Sequence, residues 1–221
     1  MQKFKNSIPI SLIYLRILIG IVLLVISVLH IECSVFIPVS LFTIGLLSDV
    51  FDGIIARRLG ISSEYLRRMD SAADQVFWVL VATSVVITFP DFLKDHWIKL
   101  VLLIAIESLT YAVSYAKFGK EVATHAISSK IWTLIMFATL VQVMIIGNSN
   151  VLFEICFYTG ILTRIEIVVI LLLLRNWTND VPSVFHAVRL RQGRVISRNK
   201  FSTDNEFLFE ILNLVVLSMD R

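Results

Sequence analysis

The sequence predicts an all-α, polytopic integral membrane protein with about six transmembrane helices and a short cytoplasmic C-terminal tail. Three observations point there. The chain is 57% hydrophobic with a mean hydropathy of +0.83, well above a soluble domain of 221 residues. Charged residues make up only 17%, and they cluster between long apolar runs. Basic residues fall in alternate connections, as the positive-inside rule requires of a chain that crosses the bilayer repeatedly.

The first span is expected near residues 9–29, with Pro9 setting its start. Its apolar run is too long for a signal peptide, Arg16 interrupts it, and no small-residue cleavage site follows, so it reads as retained. Further spans are expected at 34–58, 64–89, 97–117, 126–147 and 152–175, each near the ~20 residues that a crossing needs. Between the second and third, Gly60 marks a turn, Ser62 and Ser63 are good N-caps, and Glu64 suits a first turn. Those two spans should form an antiparallel hairpin.

Lys3 and Lys5, then Arg57, Arg58, Arg67 and Arg68, then Lys117, Lys120 and Lys130, and finally the arginines from Arg175 onward mark one side. The intervening connections, HIEC, PDFLKDHW and GNSN, contain only Lys94. Both termini are therefore expected in the cytoplasm. Residues 1–175 form the expected transmembrane domain and 176–221 a basic, amphipathic tail. HAVRLRQGRVISRNK is basic enough to lie on anionic headgroups, and a capped amphipathic helix should start near Asp204 or Asn205. No nucleic-acid partner is expected.

Within this apolar frame, Asp49 to Asp74 places four aspartates at helical spacing. Ionisable groups at that depth are costly, face a cavity and mark function. Asp49 and Asp52 share one helix face, as do Asp70 and Asp74. Counting from Gly60 at ~1.5 Å per residue puts Asp52 and Asp70 at roughly 12–15 Å from the turn, hence at similar depth. Four carboxylates together call for cations, and the natural one is a divalent metal. Asp49, Asp52, Gly53, Ala56 and Arg57 lie along one face. The small residues keep that face low, and Arg57 ends it with a cation suited to phosphate.

Asp49-x-x-Asp52-Gly53-x-x-Ala56-Arg57, followed by Asp70-x-x-x-Asp74, resembles the pattern D-x-x-D-G-x-x-A-R…G-x-x-x-D-x-x-x-D of the CDP-alcohol phosphatidyltransferases. Leu66 stands where that pattern has its second glycine. The resemblance covers residues 1–175. It implies a phospholipid-biosynthesis enzyme moving a phosphatidyl group from CDP-diacylglycerol to a small polar alcohol with release of CMP. It also implies Mg²⁺ or Mn²⁺ on Asp49, Asp52, Asp70 and Asp74, Asp74 as the base, and Gly53, Ala56 and Arg57 lining the nucleotide site. A homodimer among membrane lipids is implied too. A metal-free network of the aspartates with nearby arginines, a cation- or proton-coupled transporter, and a non-catalytic family member are the competing readings.

Other polar residues carry two readings each. Arg16 loosely resembles a family position near the nucleotide, and equally suits snorkelling or helix pairing. Lys130 suits an acceptor anion or simple positive-inside placement. Glu107, Arg164 and Glu166 suit an acceptor cavity, with interhelical pairing the simpler account. Cys33 and Cys156 have no metal-ligand spacing and are assigned no role. The scattered histidines and the tryptophans read as interfacial or packing residues.

Overall fold

The computed structural model describes residues 2–58, 64–120, 122, 126–178 and 181–192, without the side chains of 2–9, 50, 53, 56–58 and 64–68. Gly60, Ser62, Ser63, His125 and the tail helix expected from Asp204 lie outside the described residues. Everything regular that is described is helical: α1 (Gln2–Val28), α2 (Phe36–Arg58), α3 (Glu64–Thr88), α4 (Pro90–Phe118), α5 (Ile127–Ile146), α6 (Val151–Leu173) and α7 (Val184–Arg191).

Five of these helices are long and apolar enough to cross a membrane. The exception is α2, which is 23 residues long but apolar only over Phe36–Asp49. Its other half holds Asp49, Asp52, Arg57 and Arg58, the residues that make it chemically interesting. Large apolar side chains such as Ile104, Leu162 and Ile146 are mostly exposed, which suits a lipid-facing surface.

Two boundaries differ from expectation. α1 starts at Gln2, ahead of Pro9. α4 starts at Pro90 and takes in the PDFLKDHW segment, expected as a connection. Proline suits a first helical position because its missing N–H has no intrahelical acceptor there, and Asp91 complements the helix dipole. The ends of α4 and α5 follow a simple rule. Gly119 and Gly147 adopt φ of +63° and +81°, and each returns its N–H to a carbonyl of the last turn, Tyr115 and Val143.

The chain divides into two units. The first contains α1, α2 and α3, followed as far as Phe92, together with Leu140–Asn148. Here α1 packs against both α2 and α3, while α2 and α3 meet each other much less. The buried face of α1 reads Ile13, Arg16, Gly20, Leu23, Ser27, a helical stripe. α1 and α3 run in the same direction: Gly20 faces Phe77 and Leu80, and Thr88 Oγ1 donates to Ser27 Oγ at 2.9 Å. Phe42 of α2 and Phe77 of α3 fill the middle, fully buried, with ring centroids 6.1 Å apart.

Among the described residues, the second unit comprises Leu93–Thr139 and the chain from Ser149 to Gln192. The buried face of α6 runs Phe153, Cys156, Gly160, Thr163, Ile167, Ile170. The Trp132 indole donates to the Cys156 carbonyl at 3.0 Å and lies against Gly160, where a Cβ would meet it. Lys117 donates to the Leu171 and Leu172 carbonyls, satisfying the end of α6. α7 docks on α6 through Ala187, with Leu174 and Val181 completing a small apolar core.

Candidate functional site

The four aspartates converge. Asp49 and Asp52 come from the polar half of α2, and Asp70 and Asp74 from the first turns of α3. The i, i+3 and i, i+4 spacings put each pair on one face, as the sequence requires. One carboxylate oxygen from each of Asp49, Asp70 and Asp74 lies within 4.8 Å of the other two. All three side chains are partly exposed, whereas Asp52 is 3% exposed and lies deeper.

The group that joins them comes from α1. Arg16 is completely buried, and its guanidinium meets all four carboxylates. Nη1 lies 3.0 Å from Asp49 and 3.1 Å from Asp70, and also contacts Asp74. Nη2 donates to Asp52 Oδ2. Between the two structural readings open for Arg16, the side chain pairs with the neighbouring helices from the buried face of α1 and does not snorkel to the surface. The site is thus built by three helices, not by the α2–α3 hairpin alone.

A signal for this was present. Arg16 is in register with Gly20 and Ser27, so its helix face is the one that carries small residues suited to close packing. That register turns the residue inward, which its identity alone does not.

The donor set fits a hard divalent ion. Carboxylate oxygens are the ligands that Mg²⁺ and Mn²⁺ select, and three stand close enough to share one ion. Of the expected nucleotide-site residues, Gly53, Ala56 and Arg57 have their backbone on α2, but their side chains lie outside the described residues, as does that of Leu66 on α3.

In the second unit, Arg164 of α6 pairs with Glu107 of α4 and stands 4.8 Å from the centre of the Trp132 ring. Lys99 pairs with Glu154 and lies over Phe157. The simpler expectation for Glu107 and Arg164, interhelical pairing, is the one observed. Lys130 is half-buried in the first turn of α5. Cys33 and Cys156 are both free thiols.

Comparison with known proteins adds one finding. The family described as CDP-alcohol phosphatidyltransferase matches residues 6–179, well over half of the chain. The match spans α1 through α6 and ends before α7. No curated protein and no solved structure matches.

Proposed function

The chain belongs to the CDP-alcohol phosphatidyltransferase family, and from that premise we propose that it transfers a phosphatidyl group from CDP-diacylglycerol to a small polar alcohol, releasing CMP. The observation that supports this reading best is the meeting of Asp49, Asp52, Asp70 and Asp74 at one point. These are the aspartates of the motif, and two helices had to be brought into register to assemble them.

Asp49, Asp52, Asp70 and Asp74 would hold a divalent ion, Mg²⁺ or Mn²⁺, and the close approach of Asp49, Asp70 and Asp74 supports that reading. Such an ion supplies neutralisation of the diphosphate and of the departing phosphate. In the reaction, the acceptor hydroxyl oxygen forms a bond to the phosphorus that bears the diacylglycerol. The phosphoanhydride bond to CMP breaks, and the electron pair leaves with CMP. Asp74, partly exposed, takes the hydroxyl proton as general base. Gly53 and Ala56 give a low helix face for the cytidine nucleotide, and Arg57 adds a cation for its phosphate.

The chain is a multi-pass membrane protein. In the proposed orientation both termini and the aspartates lie on the cytoplasmic side, where the arginine-rich connections are. A homodimer is the proposed assembly. The acceptor belongs to the small polar alcohols, including glycerol phosphate, inositol phosphate and serine.

The test is CMP release from CDP-diacylglycerol by purified protein, across a panel of acceptors, with and without chelator. One acceptor should support release that chelator abolishes and Mg²⁺ or Mn²⁺ restores. Full turnover in excess chelator would remove the metal from the proposal. Absence of CMP release with every acceptor would favour a non-catalytic family member.

A further inference from the structure

We infer that Arg16 is a resident counter-cation that occupies the ion position in the carboxylate cluster and yields it when a divalent ion binds; the inference rests on the metal-dependent reading above. The argument is geometric. The three carboxylates that approach one another within 4.8 Å are Asp49, Asp70 and Asp74. Those same three are the ones that meet Arg16 through a single atom, Nη1. Nη1 therefore sits at the focus of the three donors, the position an ion shared by them would take. Two cations cannot hold that focus together, because like charges so close repel strongly in a buried setting.

The rest of the guanidinium is arranged for an exchange. Nη2 is bound separately, to the deeper Asp52, which lies outside the close trio. Asp52 can keep its hold while Nη1 moves aside. Arg16 Nε is buried and makes no hydrogen bond among the described residues, so the two terminal nitrogens carry the contacts to the carboxylates. A guanidinium is permanently charged, so it cannot vacate the site by losing a proton. Movement is its one route. Opposite it stand four acids, whose carboxylate oxygens are the donors that a hard divalent ion selects.

Arg16 then has two consequences for this chain. It holds α1, α2 and α3 together by offsetting the like charges of the four aspartates. It also weakens ion binding, because each ion must displace it. Arg16 acts through the carboxylates and is a positioning residue.

The experiment is Mn²⁺ binding to purified full-length protein in nanodiscs, read by the electron paramagnetic resonance of free Mn²⁺, with thermal unfolding measured alongside. Arg16→Met should bind Mn²⁺ about tenfold more tightly or better, since a buried competing charge is removed. Its ion-free melting temperature should fall, and Mn²⁺ should raise it by more than in the natural chain. Arg16→Lys keeps the charge but lacks the fork, and should bind with intermediate affinity. An Arg16→Met protein that binds Mn²⁺ no more tightly than the natural chain would overturn the inference. If Arg16→Met does not fold even with Mn²⁺, Arg16→Lys decides: tighter binding supports the exchange and unchanged binding overturns it. A natural chain and variants that all fail to bind Mn²⁺ would instead overturn the metal reading, and this inference with it.

Discussion

Gly45 of α2 lies directly against the ring of Phe77 on α3, so that a Cβ at Gly45 would stand 2.7 Å from Phe77 Cε2. Phe77 is 1% exposed and packed against Phe42 and Trp78, so its ring has nowhere to retreat. This contact lies one turn from Asp49 and one turn from Asp74. It therefore helps fix how the two aspartate pairs face each other.

Gly45→Ala should cost about 1–3 kcal/mol, the usual penalty of overpacking a filled core. The extra methyl favours helix slightly and offsets only part of this. Thermal unfolding with and without Mn²⁺ checks it. Because the wedge separates α2 from α3, CMP release should fall as well, and Phe77→Leu in the same chain should recover part of both losses. An unchanged melting temperature would show that α2 and α3 are not wedged at this contact.

The buried and the partly exposed aspartates should separate by phenotype. Asp52 is 3% exposed and holds Arg16 Nη2. Asp52→Asn leaves a buried guanidinium less compensated and should cost about 1–3 kcal/mol of stability as well as activity. Asp74 is 33% exposed at the open side of the cluster. Asp74→Asn should lower turnover about a hundredfold or more, the scale of a lost general base, while retaining much of the CDP-diacylglycerol binding. Unfolding midpoints, nucleotide-lipid binding and turnover measured together distinguish the two. An active Asp74→Asn enzyme contradicts the base assignment.

What the sequence could disclose follows from how each feature is encoded. The motif aspartates were legible because helical periodicity is local: spacings of three and four residues place side chains on a face without knowledge of the fold. The helix count was legible from apolar run length, except that α2 spends its second half on polar residues and keeps only a short apolar stretch. The start of α4 is hard to read because Pro90 and Asp91, turn residues in most contexts, also make a good first helical turn. The role of Arg16 was hardest to see. Its partners lie 33 to 58 residues away, and only packing of α1 between α2 and α3 brings them within reach.

The pair between Glu107 and Arg164 makes a prediction separate from catalysis. The two side chains are 35% and 15% exposed on helices of the second unit, and Arg164 also faces the Trp132 ring. Glu107→Gln leaves Arg164 its ring but removes its counter-charge, and should destabilise by about 0.5–2 kcal/mol, the range of polar contacts between membrane helices. Arg164→Met should do the same. The double substitution should cost less than the sum of the two, because an apolar pair needs no partner. Additive losses in the four-protein cycle would mean that the pair contributes no coupling.

Orientation can be read with single cysteines. The natural thiols are Cys33, half-buried, and Cys156, buried, so Cys33→Ser and Cys156→Ala give a cysteine-free chain. The connection between α5 and α6 is Gly147-Asn148-Ser149-Asn150. Ser149 is 2% exposed, and a thiol there would be shielded; Asn150 beside it is exposed. Asn150→Cys should therefore react with a membrane-impermeant maleimide added outside intact cells, because that connection lacks basic residues. Gly193→Cys, in the arginine-rich segment beyond α7, should react only after the membrane is opened. The aspartate cluster lies on the half of α2 and α3 nearest the Arg57–Arg68 connection, so this result places it on the side where nucleotide-linked lipid is made available. The reverse labelling pattern would put the four carboxylates on the outer face, away from CDP-diacylglycerol, and the proposed reaction would lose its substrate.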